Sequence, residues 1–300
     1  MGPPGGWGPR ARGPPLQQTE LVAVRLRTAW PDVALEVVEI TTAGDRDRTS
    51  PLTSGEGAGW FTSAIQDALL AGEVDVAVHS YKDLPTARPD GLVIAAVPER
   101  ADPRDALVSR DGATLAGLPA GAIVGTSSPR RSAQTLAVRP DLELRPIRGN
   151  VDTRLEKVDA GEYDAALFAI AGLERLGLAE RASHVFGFEE MLPAPAQGAL
   201  AVECRRDDAE TQRLLAAIDD RELRQLVGAE RSFLAALEAG CSYPAAAYAE
   251  SFGTTLKLHG LVAPEGVIVR SKVGGPVGAG PGLGRALAQE LLEIAEQSGS

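Results

Sequence analysis

The chain has 300 residues, a hydrophobic fraction of 44% and a formal net charge of −11. That is enough apolar material for two or three domains of ordinary size, and the balance is too acidic for a non-specific nucleic-acid binder. Two cysteines without a C-x-x-C and three dispersed histidines argue against a disulfide framework or a metal site, so no metal is expected.

Residues 1–18 are dense in glycine and proline, show no periodicity and read as a disordered tail. The opening MGPPGGWGPRARGPP has arginines but no apolar stretch behind them, so it does not read as a secretory signal. No apolar run reaches the roughly 18 residues of a bilayer span. The expectation is a cytoplasmic protein without membrane or nucleic-acid partners. Residues 35–40 (LEVVEI) predict a strand, and 61–71 (FTSAIQDALLA) an amphipathic helix stopped by Gly72. Residues 74–79 (VDVAVH) form a β-branched run that predicts a buried strand, and 91–97 predict another.

A second alternating block starts near Asp105. Strands are expected at 122–125, 142–146 and 165–170. A helix should start at Pro129 behind Ser128 and run through Val138. Another, capped by Asn150, should run through Ala160, and a short one should cover 172–176. Strand–helix alternation of this kind implies parallel sheets. Residues 197–204 (QGALAVEC) return to strand character, followed by helices at 209–218 and 221–238. The pattern then changes. Strands at 246–250, 255–262 and 267–272 suggest an antiparallel meander, 274–284 a flexible loop, and 284–295 a closing helix.

The expected domains are 1–98 with 198–218 as a first α/β domain, its first 34 or so residues atypical, 102–193 as a second, and 220–300 as a small C-terminal α+β domain. If the strand near 198–204 rejoins the first sheet, the chain crosses twice between the α/β domains, which makes a hinge with a ligand cleft.

Four segments could carry chemistry. His79-Ser80-Tyr81-Lys82-Asp83-Leu84-Pro85 follows a buried strand, where ligands of α/β sheets sit; an ordinary polar strand exit, with a surface Lys–Asp pair, is the competing reading. Gly125-Thr126-Ser127-Ser128-Pro129-Arg130-Arg131 puts two arginines in the first turn of a helix. Cations there oppose the helix dipole, so an anion is expected to compensate them. Arg148-Gly149-Asn150-Val151-Asp152-Thr153-Arg154 repeats the arrangement, and Arg175 follows the third strand. Arginines at the strand ends of an acidic chain point to a small polyanionic ligand, against the alternative of solvated, salt-bridged helix faces. Cys241, between the helix stop Gly240 and a loop, reads as an accessible thiol, with an ordinary loop thiol the competing reading, whereas Cys204 within ALAVEC reads as a core residue.

Taken together, VDVAVHSYKDLP (74–85), DPRDALVS (102–109), VGTSSPRR (124–131), IRGNVDTRL (147–155), AGLERLGL (171–178), LPAPAQGALAVECR (192–205) and LEAGCSYP (237–244) resemble the porphobilinogen deaminase (hydroxymethylbilane synthase) family, over roughly residues 35–300. The resemblance implies two periplasmic-binding-protein-like α/β domains with a hinge plus the C-terminal α+β domain. It implies a monomeric transferase of tetrapyrrole (heme) biosynthesis with a dipyrromethane cofactor, joined by a thioether to the cysteine matching Cys241. Such an enzyme condenses four porphobilinogen molecules, releases ammonia each time, and frees linear hydroxymethylbilane by hydrolysis. Loss of ammonia leaves an electron-poor azafulvene, and Asp83 matches the family carboxylate that stabilises it. Ser80, Lys82, Asp83, Thr126, Ser127, Ser128, Arg130, Arg131, Arg148 and Gly149 match cofactor contacts. Arg12, Arg148, Arg154, Arg175 and Gln197 match substrate contacts. The chain departs from the family pattern at Pro14, where a serine belongs, and at Ala58, where many members place a lysine. The rival readings are a catalytically impaired paralogue and a two-lobed small-anion-binding protein, since fold does not fix function.

Overall fold

A computed structural model describes residues 7–8, 14–38, 40, 60–237 and 244–298. They group into two compact units, the first formed by Met1–Arg100 with Ala199–Gln225 and the second by Ala101–Gly198 with Leu226–Ser300.

In the first unit, strand β1 (Trp7–Gly8) and helix α1 (Pro14–Ala29) occupy part of the stretch expected to be a tail. The helix tolerates Pro14 and Pro15 because its first N–H groups have no intrahelical partner. It is anchored by Gln18, Thr19, Val22, Ala23 and Leu26, all buried and spaced to share one face. Among the described residues of 35–40, Val37 makes a single bridge in place of the expected strand. Helix α2 (Trp60–Ala71) ends before Gly72, whose φ of 72° is the left-handed stop expected of it. Strands β2 (Val76–Ser80) and β3 (Leu92–Ala96) follow.

The second unit opens with β4 (Asp105–Ser109) and β5 (Ile123–Gly125), then α3 (Pro129–Val138), β6 (Glu143–Arg145), α4 (Val151–Asp159), β7 (Ala165–Ala169), α5 (Ile170–Arg175) and β8 (His184–Val185). Its sheet runs β6-β5-β7-β4-β8. Strands β6, β5 and β7 are parallel, whereas β4 is antiparallel to both β7 and β8.

Strand β9 (Leu200–Arg205) then returns to the first unit, pairing antiparallel with both β2 and β3 in the order β1-β2-β9-β3. Both sheets are therefore mixed, a correction to the parallel expectation. Strand–helix alternation predicts parallel neighbours, but β9 rejoins the first sheet antiparallel, and in the second sheet β4 opens the block antiparallel to β7 and β8. After α6 (Ala209–Leu215), helix α7 (Arg221–Ala236) leads to an antiparallel sheet of β10 (Ala245–Phe252), β11 (Thr255–Val262) and β12 (Val269–Pro276), closed by α8 (Gly280–Ser298).

The loop expected at 274–284 is instead the end of β12, a 3-10 turn and the start of α8. Its glycines serve close packing: a Cβ on Gly275 would lie 3.1 Å from Leu283, and one on Gly284 would meet the Ala229 carbonyl and lie 2.8 Å from the Phe233 nitrogen. Phe233, Leu258, Leu287 and Leu291 form the fully buried centre of this region, each side chain contributing about 1.5–3 kcal/mol by leaving water. A smaller apolar cluster joins Leu192 and Phe188, in the segment after β8, to Ala246, Tyr248 and Leu261 of the C-terminal sheet.

Candidate functional site

In the first unit, β2 ends at Ser80 and turns at once into a 3-10 turn, Tyr81–Asp83. Buried Tyr81 and Leu84 anchor this turn, while Lys82 is half-buried and Asp83 exposed. The Tyr81 N–H donates to the Ala199 carbonyl at 2.9 Å, and the Gln18 amide donates to Ser80 Oγ at 3.0 Å. The 3-10 turn that follows β2 thus sets Lys82 and exposed Asp83 on a base held by buried Tyr81 and Leu84. At the position preceding Ser80, His79 Nε2 lies 3.3 Å from the buried Glu203, which accepts from Gln66.

In the second unit, parallel pairing puts the carboxyl ends of β5, β6 and β7 on one edge, the edge where α/β sheets hold ligands. Arg130 and Arg131 follow β5, Arg148 and Arg154 follow β6, and Arg175 follows β7. Ser127 joins two of these ends: its Oγ donates to the Ile147 carbonyl at 2.9 Å and accepts from the Ile147 N–H at 3.1 Å. Its one proton is engaged there, so Ser127 braces the site and has no donor left for a cofactor. Thr126 Oγ1 accepts from the Ser128 N–H, and Ser128 caps α3 by accepting from the Arg131 N–H. Asn150 caps α4 through the Thr153 N–H at 2.9 Å. Gly149 has a φ of 107°, and a Cβ there would lie 2.7 Å from Thr153, so no other residue fits. Arg148, Arg154 and Arg175 are half-buried. Arg154 Nε donates to the Gly149 carbonyl at 2.8 Å, and an Arg175 nitrogen donates to the Gly198 carbonyl at 3.1 Å.

The anion that compensates Arg130 and Arg131 is part of the chain. Both side chains are buried and bind Asp105, which is itself fully buried, each with a shortest contact of 2.6 Å. Arg130 also donates to the Leu192 carbonyl and Arg131 to the Leu167 carbonyl. Two cations at a helix start call for an anion, and the Asp105 side chain supplies one negative charge against the two. Gln197, expected as a substrate contact, is fully buried and donates to the Pro103 carbonyl at 2.8 Å and to Asp105 at 2.9 Å. Burial pushes the Asp105 carboxyl up, but the two guanidiniums, with hydrogen bonds from Arg130 and Gln197, outweigh it and hold the group below the usual carboxylate range. Asp105 is the residue that motif reading missed. Its signal is a lone carboxylate at the head of the buried strand DALVS.

Cys241 and Arg12 lie outside the described residues. Cys204 is buried, and burial, helped by Asp208 and Glu203, pushes its thiol up to about 11, so it stays protonated and inert.

Two family models match the chain: porphobilinogen deaminase, dipyrromethane cofactor binding domain, over residues 11–213, and porphobilinogen deaminase, C-terminal domain, over residues 225–293. The chain belongs to the porphobilinogen deaminase family. Among curated members, the porphobilinogen deaminase of Acidothermus cellulolyticus is 53% identical over 92% of this chain and 84% of its own length. That of Mycobacterium tuberculosis is 48% identical over 94% of each chain. Among solved structures, the second substrate-binding domain of a putative amino acid ABC transporter from Streptococcus pneumoniae aligns with a TM-score of 0.47 at 12% identity, over 71% of this chain and 90% of that one. Among the described residues, no helix is long and apolar enough to cross a membrane.

Proposed function

We propose that the chain is a hydroxymethylbilane synthase, a cytoplasmic and monomeric transferase that condenses four porphobilinogen molecules into linear hydroxymethylbilane. The observation that carries this reading is the set of arginines at the carboxyl ends of β5, β6 and β7, in a chain whose net charge is −11. Each porphobilinogen brings two carboxylates, so the growing product is a small polyanion. Planar guanidinium forks at fixed strand ends suit it.

The same donor set fits a dipyrromethane, whose rings also carry carboxylates. When bound, that group supplies the nucleophilic pyrrole carbon to which substrate units are added. Cys241 would hold it as a thioether; Arg148, with Lys82 and Ser80, would neutralise and orient its carboxylates; Gly149 lets the backbone come close. Arg154 and Arg175 would receive the substrate carboxylates, joined by Arg12. Thr126, Ser128, Arg130 and Arg131 form the floor of the arginine edge. Asp83, held outward by its anchored turn, stabilises positive charge on the incoming pyrrole as ammonia leaves, and accepts the proton released on coupling. We read the chain as three folding segments, 1–98 with 198–218, 102–193 and 220–300, the last carrying the thiol.

Intact mass on freshly made protein tests the reading. The natural chain should exceed its sequence mass by two condensed pyrrole units, and Cys241→Ala should lose that excess. Incubation with porphobilinogen should consume it and give a bilane that cyclises to uroporphyrin I. An unmodified mass from cells that make tetrapyrroles favours a binding protein. A loaded chain that leaves porphobilinogen untouched is the impaired relative.

A further inference from the structure

Asp105 has no part in the chemistry proposed above, yet its side chain organises the arginine edge. Strand β4 is buried along its whole length, so a carboxylate at its head is costly unless compensated. Asp105 Oδ1 accepts from Arg131 at 2.6 and 3.0 Å and from Gln197 at 2.9 Å, while Oδ2 accepts from Arg130 at 2.6 Å. One carboxylate thus fixes two guanidinium planes at once, and the backbone of Gln197 is itself held in place: the preceding Ala196 sits at a left-handed φ of 64° with its N–H donated to buried Glu230 at 2.7 Å. Two guanidiniums against one carboxylate leave a net charge of one positive unit. Buried ionic clusters stabilise a fold poorly compared with apolar packing, so fold stability alone does not account for three charged side chains here.

We infer that Asp105 is a positioning residue: acting through Arg130 and Arg131, it sets their orientation and keeps the residual positive charge at the carboxyl edge of β5 and β7, where it favours a ligand carboxylate. This rests on the reading of the chain as a porphobilinogen-condensing enzyme.

The test is Asp105→Asn in the full chain, compared with the natural sequence for folding by circular dichroism, for primer by intact mass, and for kcat and KM with porphobilinogen. Asparagine keeps the volume and removes the charge. The expected result is a folded protein whose KM rises roughly tenfold or more while kcat changes much less, as loss of charge-assisted hydrogen bonds implies. A folded variant that carries no primer supports the proposal equally. A folded, fully loaded variant with natural KM, whatever its kcat, overturns it. Should Asp105→Asn fail to fold, Gln197→Met decides: it leaves the charges in place and removes one donor that orients Asp105, so KM should rise roughly two- to fivefold, and an unchanged KM overturns the proposal. A natural chain with neither primer nor turnover overturns the functional reading instead, and the inference with it.

Discussion

Asp83 is exposed while its neighbours in the turn, Tyr81 and Leu84, are buried. Asp83→Asn should therefore remove a charge without disturbing packing. The expected outcome is an unchanged circular dichroism spectrum and a turnover lower by about 10²–10³-fold, the usual effect of losing one preorganised group that meets transition-state charge. A porphobilinogen consumption rate close to natural would take Asp83 out of the mechanism. Residues of this kind are legible in the sequence because they follow buried strands in polar bursts. Asp105 is not, because its partners Arg130, Arg131 and Gln197 lie 25 to 92 positions away and only sheet pairing brings them together. Gly198 is a second case. It has a φ of 85°, and a Cβ there would overlap the Ala101 carbonyl oxygen. Gly198→Ala should cost more than the roughly 1 kcal/mol of an ordinary glycine replacement, measured by urea unfolding. A variant as stable as the natural chain would show that the crossing has room to relax.

Helices with a cap, an apolar stripe and a stop signal are readable from the sequence. The expected starts of α3 and α4 coincide with Ser128 and Asn150 as caps. Asn150→Ala removes the side-chain acceptor for the Thr153 N–H and should cost about 1 kcal/mol, seen as a lower urea midpoint with an unchanged slope. No loss of stability would mean that water replaces the cap at no cost. Two of the elements that sequence patterns miss share one cause, the ambiguity of glycine and proline. Pro14 and Pro15 look like punctuation in a tail and instead begin α1. The glycines at 274–284 look like a flexible loop, yet Gly275 and Gly284 let β12 and α8 approach their neighbours closely. Local composition cannot separate a glycine that frees the backbone from one that makes room for a side chain across the core.

At the scale of the molecule, Asp105 should be one of the groups through which acid acts. Its folded pKa lies below the unfolded value of about 3.9, so the stability it contributes is present above about pH 4 and is lost as pH falls below that toward the folded value. Thermal midpoints of the natural chain should therefore drop steeply below about pH 4, and Asp105→Asn should show a shallower drop; parallel acid limbs would refute the assignment. The position of β9 has a consequence for biosynthesis. Strands β2 and β3 do not touch one another as neighbours; each pairs with β9, made of residues 200–205. A ribosome that has finished residue 198 has thus released β2 and β3 without the strand that joins them, and the edges that will face β9 await a segment not yet translated. Nascent chains stalled at that point should be cut readily by protease within residues 76–96, and chains stalled beyond the exit of residue 205 should resist, which makes late closure of this sheet the interval in which a chaperone has most to do.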